Sequence, residues 1–249
     1  MNKLLFLIGF IIFFSCKRNN ENKIELKILS SSITSKSNLD NLIYSNSDEY
    51  FYKNRSNSVL RFSISNTTNI NYLIILRNVF DTYNGIHTIE GKNLDLDFLQ
   101  ITNIQKTDTI KVHYAFSYPM PNKDELEQLA ENNKNKTRLF NSLNYYKTIN
   151  WIDKNEIITN NLIYLKSNEI KYFEAFVNLP YSEASNGSSS VKLDSTKNYI
   201  ANLKFTSDTT NIKKYLTWSQ LKNIEENNYK LYQGTIVSEN SVPIVFVNE

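Results

Sequence analysis

The chain has 249 residues, with 28 lysine and arginine residues against 25 aspartate and glutamate residues, and a formal net charge of +3 at pH 7. The basic residues are scattered along the chain, so the sequence predicts no nucleic-acid partner. A single cysteine excludes a disulfide framework within the chain, and the 41% of hydrophobic residues are enough for a sizeable core.

The first sixteen residues, MNKLLFLIGFIIFFSC, form the most specific pattern in the chain. Lys3 is followed by an uninterrupted apolar run from Leu4 to Phe14, and then by Ser15 and Cys16. A positive start, a short apolar core and a small residue before the cleavage point are the features of a secretory signal. A transmembrane helix needs about 20 apolar residues, so the pattern predicts a signal peptide over residues 1–15.

The four residues Phe13-Phe14-Ser15-Cys16 resemble the lipobox of bacterial lipoproteins, with phenylalanine where leucine and a smaller residue are usual. The resemblance implies cleavage between Ser15 and Cys16 and a palmitate-bearing lipid on the sulfur of Cys16. Such an anchor also accounts for the lone thiol, because an unpaired cysteine in a secreted protein is otherwise reactive. Residues 16–22 are then the lipidated cysteine and a short polar tether.

The residues after the cysteine bear on where the protein is anchored. Lys17 stands where an aspartate would resemble an inner-membrane retention signal, which implies the outer membrane. The composition and the phenylalanine-rich lipobox are similar to those of Bacteroidota lipoproteins. Only one acidic residue, Glu21, follows closely, and this implies the periplasmic face. The expected partners are the membrane, through the lipid, and an unidentified protein or glycan; no cofactor is expected.

Alternation of apolar and polar residues predicts the strands of the first half. Three such segments lie at residues 24–28, 94–98 and 110–116. Residues 30–57 are rich in serine and asparagine and are predicted to be a loop with at most one edge strand. The turn-forming sequence Asn66-Thr67-Thr68-Asn69 lies between apolar runs and predicts a β-hairpin over residues 59–76.

Helical spacing replaces alternation in the middle of the chain. Leucines and other apolar residues recur every three or four positions, which predicts a helix or a broken helix pair over residues 123–148, with a break expected at Asn132-Asn133. Strands are expected again at residues 162–165 and 170–179, and residues 180–190 are expected to be a flexible loop. A strand at 199–205, a short helix capped by Thr217 and Gln220, and strands at 229–237 and 243–247 complete the prediction.

These elements predict a mainly β fold, an antiparallel β-sandwich of immunoglobulin-like type with a helical insertion near 122–148 and a short helix near 217–227. We expect a single domain over residues 23–249. Two tandem sandwiches separated by the helical insertion are the alternative.

Few residues are candidates for chemistry. His113 is expected on the polar face of a strand, and His87 could form a metal site only together with Asp81 and Glu90. The pair Gly187-Ser188 lacks the strand–turn–helix context of a nucleophile elbow. Asp95 and Asp97 are expected on one strand face about 7 Å apart, a spacing that glycosidase carboxylates can have.

Aromatic residues suggest a binding surface. The groups Tyr50-Phe51-Tyr52, Tyr145-Tyr146 with Trp151, and Tyr181 could form an exposed platform for a sugar or a protein. Three short sequences resemble O-glycosylation sites of Bacteroidota envelope proteins: Asp108-Thr109-Ile110, Asp194-Ser195-Thr196 and Asp208-Thr209-Thr210.

Three functions are compatible with the sequence. The first is a non-enzymatic, lipid-anchored envelope module that binds a protein or a glycan. The second is an envelope polysaccharide hydrolase, or a carbohydrate-binding lipoprotein, with Asp95, Asp97 and Glu90 as the candidate acids. The third is a lipoprotein with a purely structural role in an envelope assembly.

Overall fold

The computed structural model describes residues 23–36, 56–76, 96–115, 123–144, 147–184 and 187–247. Fourteen strands, three α-helices and two 3-10 turns, Leu96–Phe98 and Ile212–Tyr215, lie in these ranges. The strands of the first half are β1 (Ile24–Ile28), β2 (Ile33–Ser35), β3 (Ser56–Asn66), β4 (Tyr72–Ile75), β5 (Leu99–Asn103) and β6 (Val112–Ala115). They are followed by the helices α1 (Lys123–Ser142) and α2 (Ile149–Asn160). The remaining elements are β7 (Leu162–Leu165), β8 (Ile170–Leu179), β9 (Tyr181–Ala184), β10 (Gly187–Val191), β11 (Tyr199–Ser207), α3 (Trp218–Glu226), β12 (Lys230–Leu231), β13 (Gly234–Val237) and β14 (Val242–Phe246).

Two sheets supply most of the core. The first is antiparallel with the order β1-β3-β8, and the second has the order β13-β11-β14-β2 with β5 paired to β11. Their inner faces meet at Phe62, whose ring lies 5.2 Å from Phe173 within its own sheet and 5.6 Å from Phe205 of the second sheet. The alternation predicted at 24–28 and 199–205 is confirmed, because every second residue of those strands is buried.

Side chains join the edges of the two sheets. The side-chain amide of Asn240 forms the two hydrogen bonds that a neighbouring strand would form. It accepts from the backbone NH of Ile28 and donates to the Ile28 carbonyl, both at 2.9 Å. At the other edge, the hydroxyl of Ser58 accepts from the NH of Thr34 at 2.8 Å. These bonds satisfy backbone groups that an open sheet edge leaves exposed.

The hairpin predicted around Asn66–Asn69 is wrong. The strands β3 and β4 exist, but β3 pairs with β1 and β8, while β4 pairs with β7 and β12. The chain therefore changes sheet at residues 67–71, and it changes back at residues 166–169 between β7 and β8. Asn66 holds the two corners together by donating to the carbonyls of Ile70 at 2.7 Å and Lys166 at 2.8 Å.

A smaller sheet with the order β12-β4-β7 has its own apolar cluster. Buried residues of α2, α3 and the second 3-10 turn cover it, including Ile158, Ile224 and Ile212. The predicted cap of α3 is confirmed, since Thr217 and Gln220 form a reciprocal capping box. Trp218, at the first position of α3, is 66% exposed, and the buried residue of the helix is Ile224 in its last turn.

The helical insertion differs from the prediction in two ways. The helix α1 is continuous through Asn132 and Asn133, because the good helix formers around them outweigh the weak propensity of asparagine. A second helix, α2, follows it and was not predicted. The helices contact each other through Phe140 and Trp151, whose rings are 5.8 Å apart, and through Lys136, which pairs with Glu156.

The strand predicted at residues 94–98 is displaced. Residues 96–98 form a 3-10 turn, and the strand β5 begins at Leu99, with Leu99 and Ile101 buried. Because residues 96–98 are helical, Leu96 and Phe98 both pack on the core without alternating. The alternation of buried residues therefore begins at Leu99, one residue later than predicted.

The loop predicted at residues 180–190 is wrong over most of its length. The strands β9 and β10 pair antiparallel, and β10 also pairs with β6 to give a third sheet. A serine-rich sequence is compatible with a strand here because the hydrogen bonds between the strands are made by backbone groups, which do not depend on the side chain.

Two buried hydroxyls in this hairpin lead to a stability prediction. Ser182 and Ser189 lie opposite each other, and among the described residues their hydroxyls have no hydrogen-bond partner. Replacing either with alanine should leave the free energy of unfolding unchanged or raise it by about 1 kcal/mol, because an unsatisfied buried hydroxyl is removed.

The matched control is Ser207→Ala, which removes a buried hydroxyl that accepts from Ile75 NH and donates to the carbonyl of Tyr232. Urea denaturation should show a loss of about 1–3 kcal/mol for the control; an equal loss for Ser182→Ala would show that its hydroxyl is bonded.

The described part of the chain is thus mainly β, with antiparallel and mixed sheets and three α-helices. The immunoglobulin-like sandwich is not confirmed. Two strands join their neighbours in parallel, β2 beside β14 and β12 beside β4, whereas the sheets of that fold are antiparallel.

Candidate functional site

An open cleft of 340 Å³ lies where the turn between β5 and β6 faces the loop that leads into β11. Its lining is rich in lysine and combines polar and apolar surface in similar amounts. The lining residues are Asn103, Lys106, Asp108, Thr109, Ile110, Lys111, His113, Lys192, Asp194, Lys197 and Tyr199.

A tight turn after β5 builds the first wall. The backbone NH of Asn103 donates to the carbonyl of Asp108 at 3.0 Å, and the carbonyl of Asn103 accepts from the NH of Thr107 at 2.8 Å. Thr107 has a φ of 58°, the left-handed conformation that closes the turn. These bonds fix the backbone from which Lys106 and Asp108 project.

The loop between β10 and β11 builds the opposite wall. The carboxylate of Asp194 accepts from the NH of Thr196 at 2.9 Å and from its hydroxyl at 2.6 Å, and pairs with Lys197 at 2.9 Å. The backbone NH of Asp194 donates to the hydroxyl of the buried Tyr199 at 3.1 Å. Asn198 links this loop to the first wall, because its carbonyl accepts from the NH of Ile104 at 3.0 Å.

The turn at Asp194 lowers the pKa of its carboxyl to about 2, first through the Thr196 hydroxyl and then through Lys197. A lowered pKa stabilises the fold at pH values above the ordinary pKa of 3.8, and this contribution is lost as the pH falls through about 2.

Replacing Thr196 with valine should therefore move the titration midpoint of Asp194 up toward 3.8, as followed by ¹³C NMR of its carboxyl carbon. In the control, Thr210→Val should raise the pKa of Asp208, which Thr210 lowers in the same way, and leave Asp194 unchanged. An unshifted Asp194 in Thr196→Val would refute the turn geometry.

Two lysines next to the ends of paired strands line the cleft. β6 and β10 pair antiparallel with His113 opposite Ser190 and Val112 opposite Val191. Lys111 lies one residue before β6 and Lys192 one residue after β10. Among the described residues, neither lysine has an ion-pair partner.

The structure places only part of the predicted site residues. His113 is exposed and lines the cleft, while His87, Asp81 and Glu90 lie outside the described residues. Within the described part of the chain, no group of three or more histidine, cysteine, aspartate or glutamate side chains could hold a metal ion.

The paired carboxylates are not found as predicted. Asp97 lies in the 3-10 turn and not on a strand, so it does not share a strand face with Asp95, which lies outside the described residues. Gly187 and Ser188 begin the strand β10. The next regular element after β10 is the strand β11, so the helix required by a nucleophile elbow does not follow.

The predicted aromatic platform is wrong for the two members that can be placed. Trp151 and Tyr181 are only 8% and 4% exposed, and the indole NH of Trp151 donates to the carbonyl of Lys214 at 2.7 Å. Residues 50–52 and 145–146 lie outside the described part of the chain. Among the described residues, the exposed aromatics are instead Tyr172, Phe176 and Trp218, which were not expected to form a binding surface.

The three sequences that resemble glycosylation sites differ in exposure. Thr109 and Ser195 are exposed, and both lie on the walls of the cleft or beside them, whereas Thr209 is buried. A buried hydroxyl is inaccessible to a transferase in the folded protein, so only the first two positions suit modification.

The residues of the predicted anchor, Ser15 and Cys16, lie outside the described residues, as does the whole leader. In the residues that the structure does describe, no helix has the length and apolar character needed to cross a membrane.

Comparison with family models, with curated proteins and with solved structures gives no match to this chain. The site is therefore interpreted from its own residues.

His113 and two Asp-Ser/Thr motifs can be singled out in the sequence, but the sequence does not show that they lie at one cleft. A role for Lys106, Lys111, Lys192 and Lys197 as lining residues was not predicted. The lysines carry no spacing signal, since they come from a turn, two strand ends and a loop that are distant in sequence.

Proposed function

We propose that the chain is a lipid-anchored, non-enzymatic binding module of the cell envelope, held at the periplasmic face of the outer membrane. The observation that carries this proposal is the leader: Lys3, the apolar run Leu4–Phe14, and Ser15 directly before Cys16. Two or more acyl chains hold a protein stably at a bilayer, with about 0.8 kcal/mol from each buried methylene.

The start of the folded region suits a short anchor. Residues 17–22 separate Cys16 from Lys23, and such a tether spans at most about 25 Å. Two contacts hold Lys23, the first residue that the structure describes. Its ammonium pairs with Glu239 at 2.8 Å, and its backbone NH donates to the hydroxyl of Thr67 at 3.0 Å. The folded part would therefore lie close to the membrane.

The binding role is supported by the cleft. It presents cationic and neutral polar side chains on backbone that turns and strand pairs hold in place. Asp194 is committed to its turn and to Lys197, which suits a structural carboxylate better than a catalytic base. An open β-sandwich of immunoglobulin-like type would act as the scaffold, and the packing of the two main sheets on Phe62 supports this part of the proposal.

Cys16→Ser is the variant that tests the anchor. In a Gram-negative host supplied with an alkyne analogue of palmitate, the wild-type chain should be labelled and should fractionate with membranes. The variant should lose the label and leave the membrane fraction, because serine offers no thiol for the thioether. Asn19→Ser introduces the same residue in the tether and should behave as wild type. Unchanged labelling of Cys16→Ser would overturn the proposal.

A further inference from the structure

Two lysines line the cleft just beyond the ends of β6 and β10. Lys111 directly precedes β6 and Lys192 directly follows β10, next to Val112 and Val191, the last pair of the ladder. A negative charge placed in the cleft is attracted to both ammonium groups. Among the described residues, no carboxylate forms an ion pair with either lysine, so both charges can act on a bound anion.

The remaining charges of the cleft limit how negative that anion is. Four lysines face two aspartates, and one lysine, Lys197, is already paired with Asp194. Lys106, Lys111 and Lys192 therefore face Asp108 alone, which leaves an excess of two positive charges from the lysines. This excess suits a ligand with one or two negative charges better than a polyanion, which the aspartates would repel.

Neutral polar groups beside the lysines indicate a second property of the ligand, namely hydroxyl groups. Asn103, Thr109 and His113 line the same cleft and can exchange hydrogen bonds with hydroxyl groups. No arginine lies in the lining, so an anion would be held by the single charges of lysines and not by planar two-bond recognition. The volume of 340 Å³ is at the lower end of the roughly 300–1,000 Å³ usual for small-molecule sites.

We propose that this cleft binds an acidic sugar, with the carboxylate between Lys111 and Lys192 and the hydroxyls against Asn103 and Thr109. This assignment names the ligand class of the proposed binding module and so rests on that function. It does not depend on the lipid anchor.

Isothermal titration calorimetry with glucuronate on the detergent-solubilised mature protein tests the assignment. Wild-type protein should bind glucuronate, and the affinity should fall as salt is added. The variant Lys111→Gln/Lys192→Gln should raise the Kd at least about tenfold, since two charge contacts are lost. Lys111→Arg/Lys192→Arg should retain most of the binding. The matched control Lys27→Gln/Lys230→Gln makes the same charge change at exposed lysines outside the cleft and should leave the Kd unchanged.

Two further probes separate the sugar from a bare anion. Glucose, which has the hydroxyls without the charge, should not bind, and inorganic phosphate should bind more weakly than glucuronate. Binding of phosphate as tight as that of glucuronate would overturn the sugar assignment, and so would equal binding of glucose or an unchanged Kd in the Gln variant. Absence of glucuronate binding in a protein that still takes up labelled palmitate would overturn the ligand and leave the anchor standing.

Discussion

Phe62→Ala should lower the free energy of unfolding by about 3–5 kcal/mol, the range seen when a large buried aromatic is truncated. Phe62 is fully buried and is the residue at which the two main sheets meet, with Phe173 and Phe205 against its ring. Its removal leaves a cavity between two sheets whose backbones are fixed by their own ladders. The cavity can close only in part, so the loss exceeds the transfer free energy of the ring alone.

Urea denaturation followed by circular dichroism measures this loss. Phe176→Ala is the matched control, because Phe176 lies on the other face of the same sheet and is 44% exposed. The control should lose about 1 kcal/mol or less. Equal losses for the two variants would contradict the packing of one sheet on the other.

Asn66→Ala should cost roughly 3 kcal/mol, because it leaves several buried or half-buried groups without partners. The amide of Asn66 bonds the carbonyls of Ile70 and Lys166, and its oxygen accepts from both the NH and the hydroxyl of Thr68. This one side chain therefore joins the two corners at which the chain passes between sheets.

Asn66→Asp sharpens the test of this corner. Aspartate has nearly the same shape but cannot donate, and it sets a charge against two carbonyl oxygens, so its loss should be at least as large. Asn57→Ala changes an exposed asparagine of the same strand and should stay within about 0.5 kcal/mol of wild type. A near-neutral Asn66→Ala would show that the corners hold without the amide.

The prediction of individual strands succeeded where one face of a strand is buried. In β1 and β11 the alternation is strong because every second residue faces the core. Which strands pair was not predictable in the same way. The turn-forming residues at 66–69 indicate a change of direction, and the same residues fit a hairpin or a corner between sheets. The bonds of Asn66 to a segment about a hundred residues away decide between them.

Weak or mixed local signals account for the other errors. The strands β9 and β10 are rich in serine, which is typical of loops, and their pairing with each other and with β6 overrides that preference. The helix α2 combines asparagine with isoleucine and has little contrast between its faces, so it begins at the Thr148 cap without a clear periodic pattern.

The candidate site was the least predictable part. Its lysines come from four segments, and lysine is usually an ordinary surface residue, so the sequence does not mark them. The pairing of β6 with β10 brings the neighbouring residues Lys111 and Lys192 to the same cleft, and the sequence does not show this pairing. The pattern on which the proposed lipid anchor rests is the opposite case, since it is local and lies within the first sixteen residues.

The proposed anchor at Cys16 is tested most directly by the intact mass of the protein purified from membranes. We expect a chain that begins at Cys16, lacks residues 1–15 and carries the added mass of its acyl chains. A chain that retains Met1, or one that begins at Cys16 without acyl mass, would contradict it.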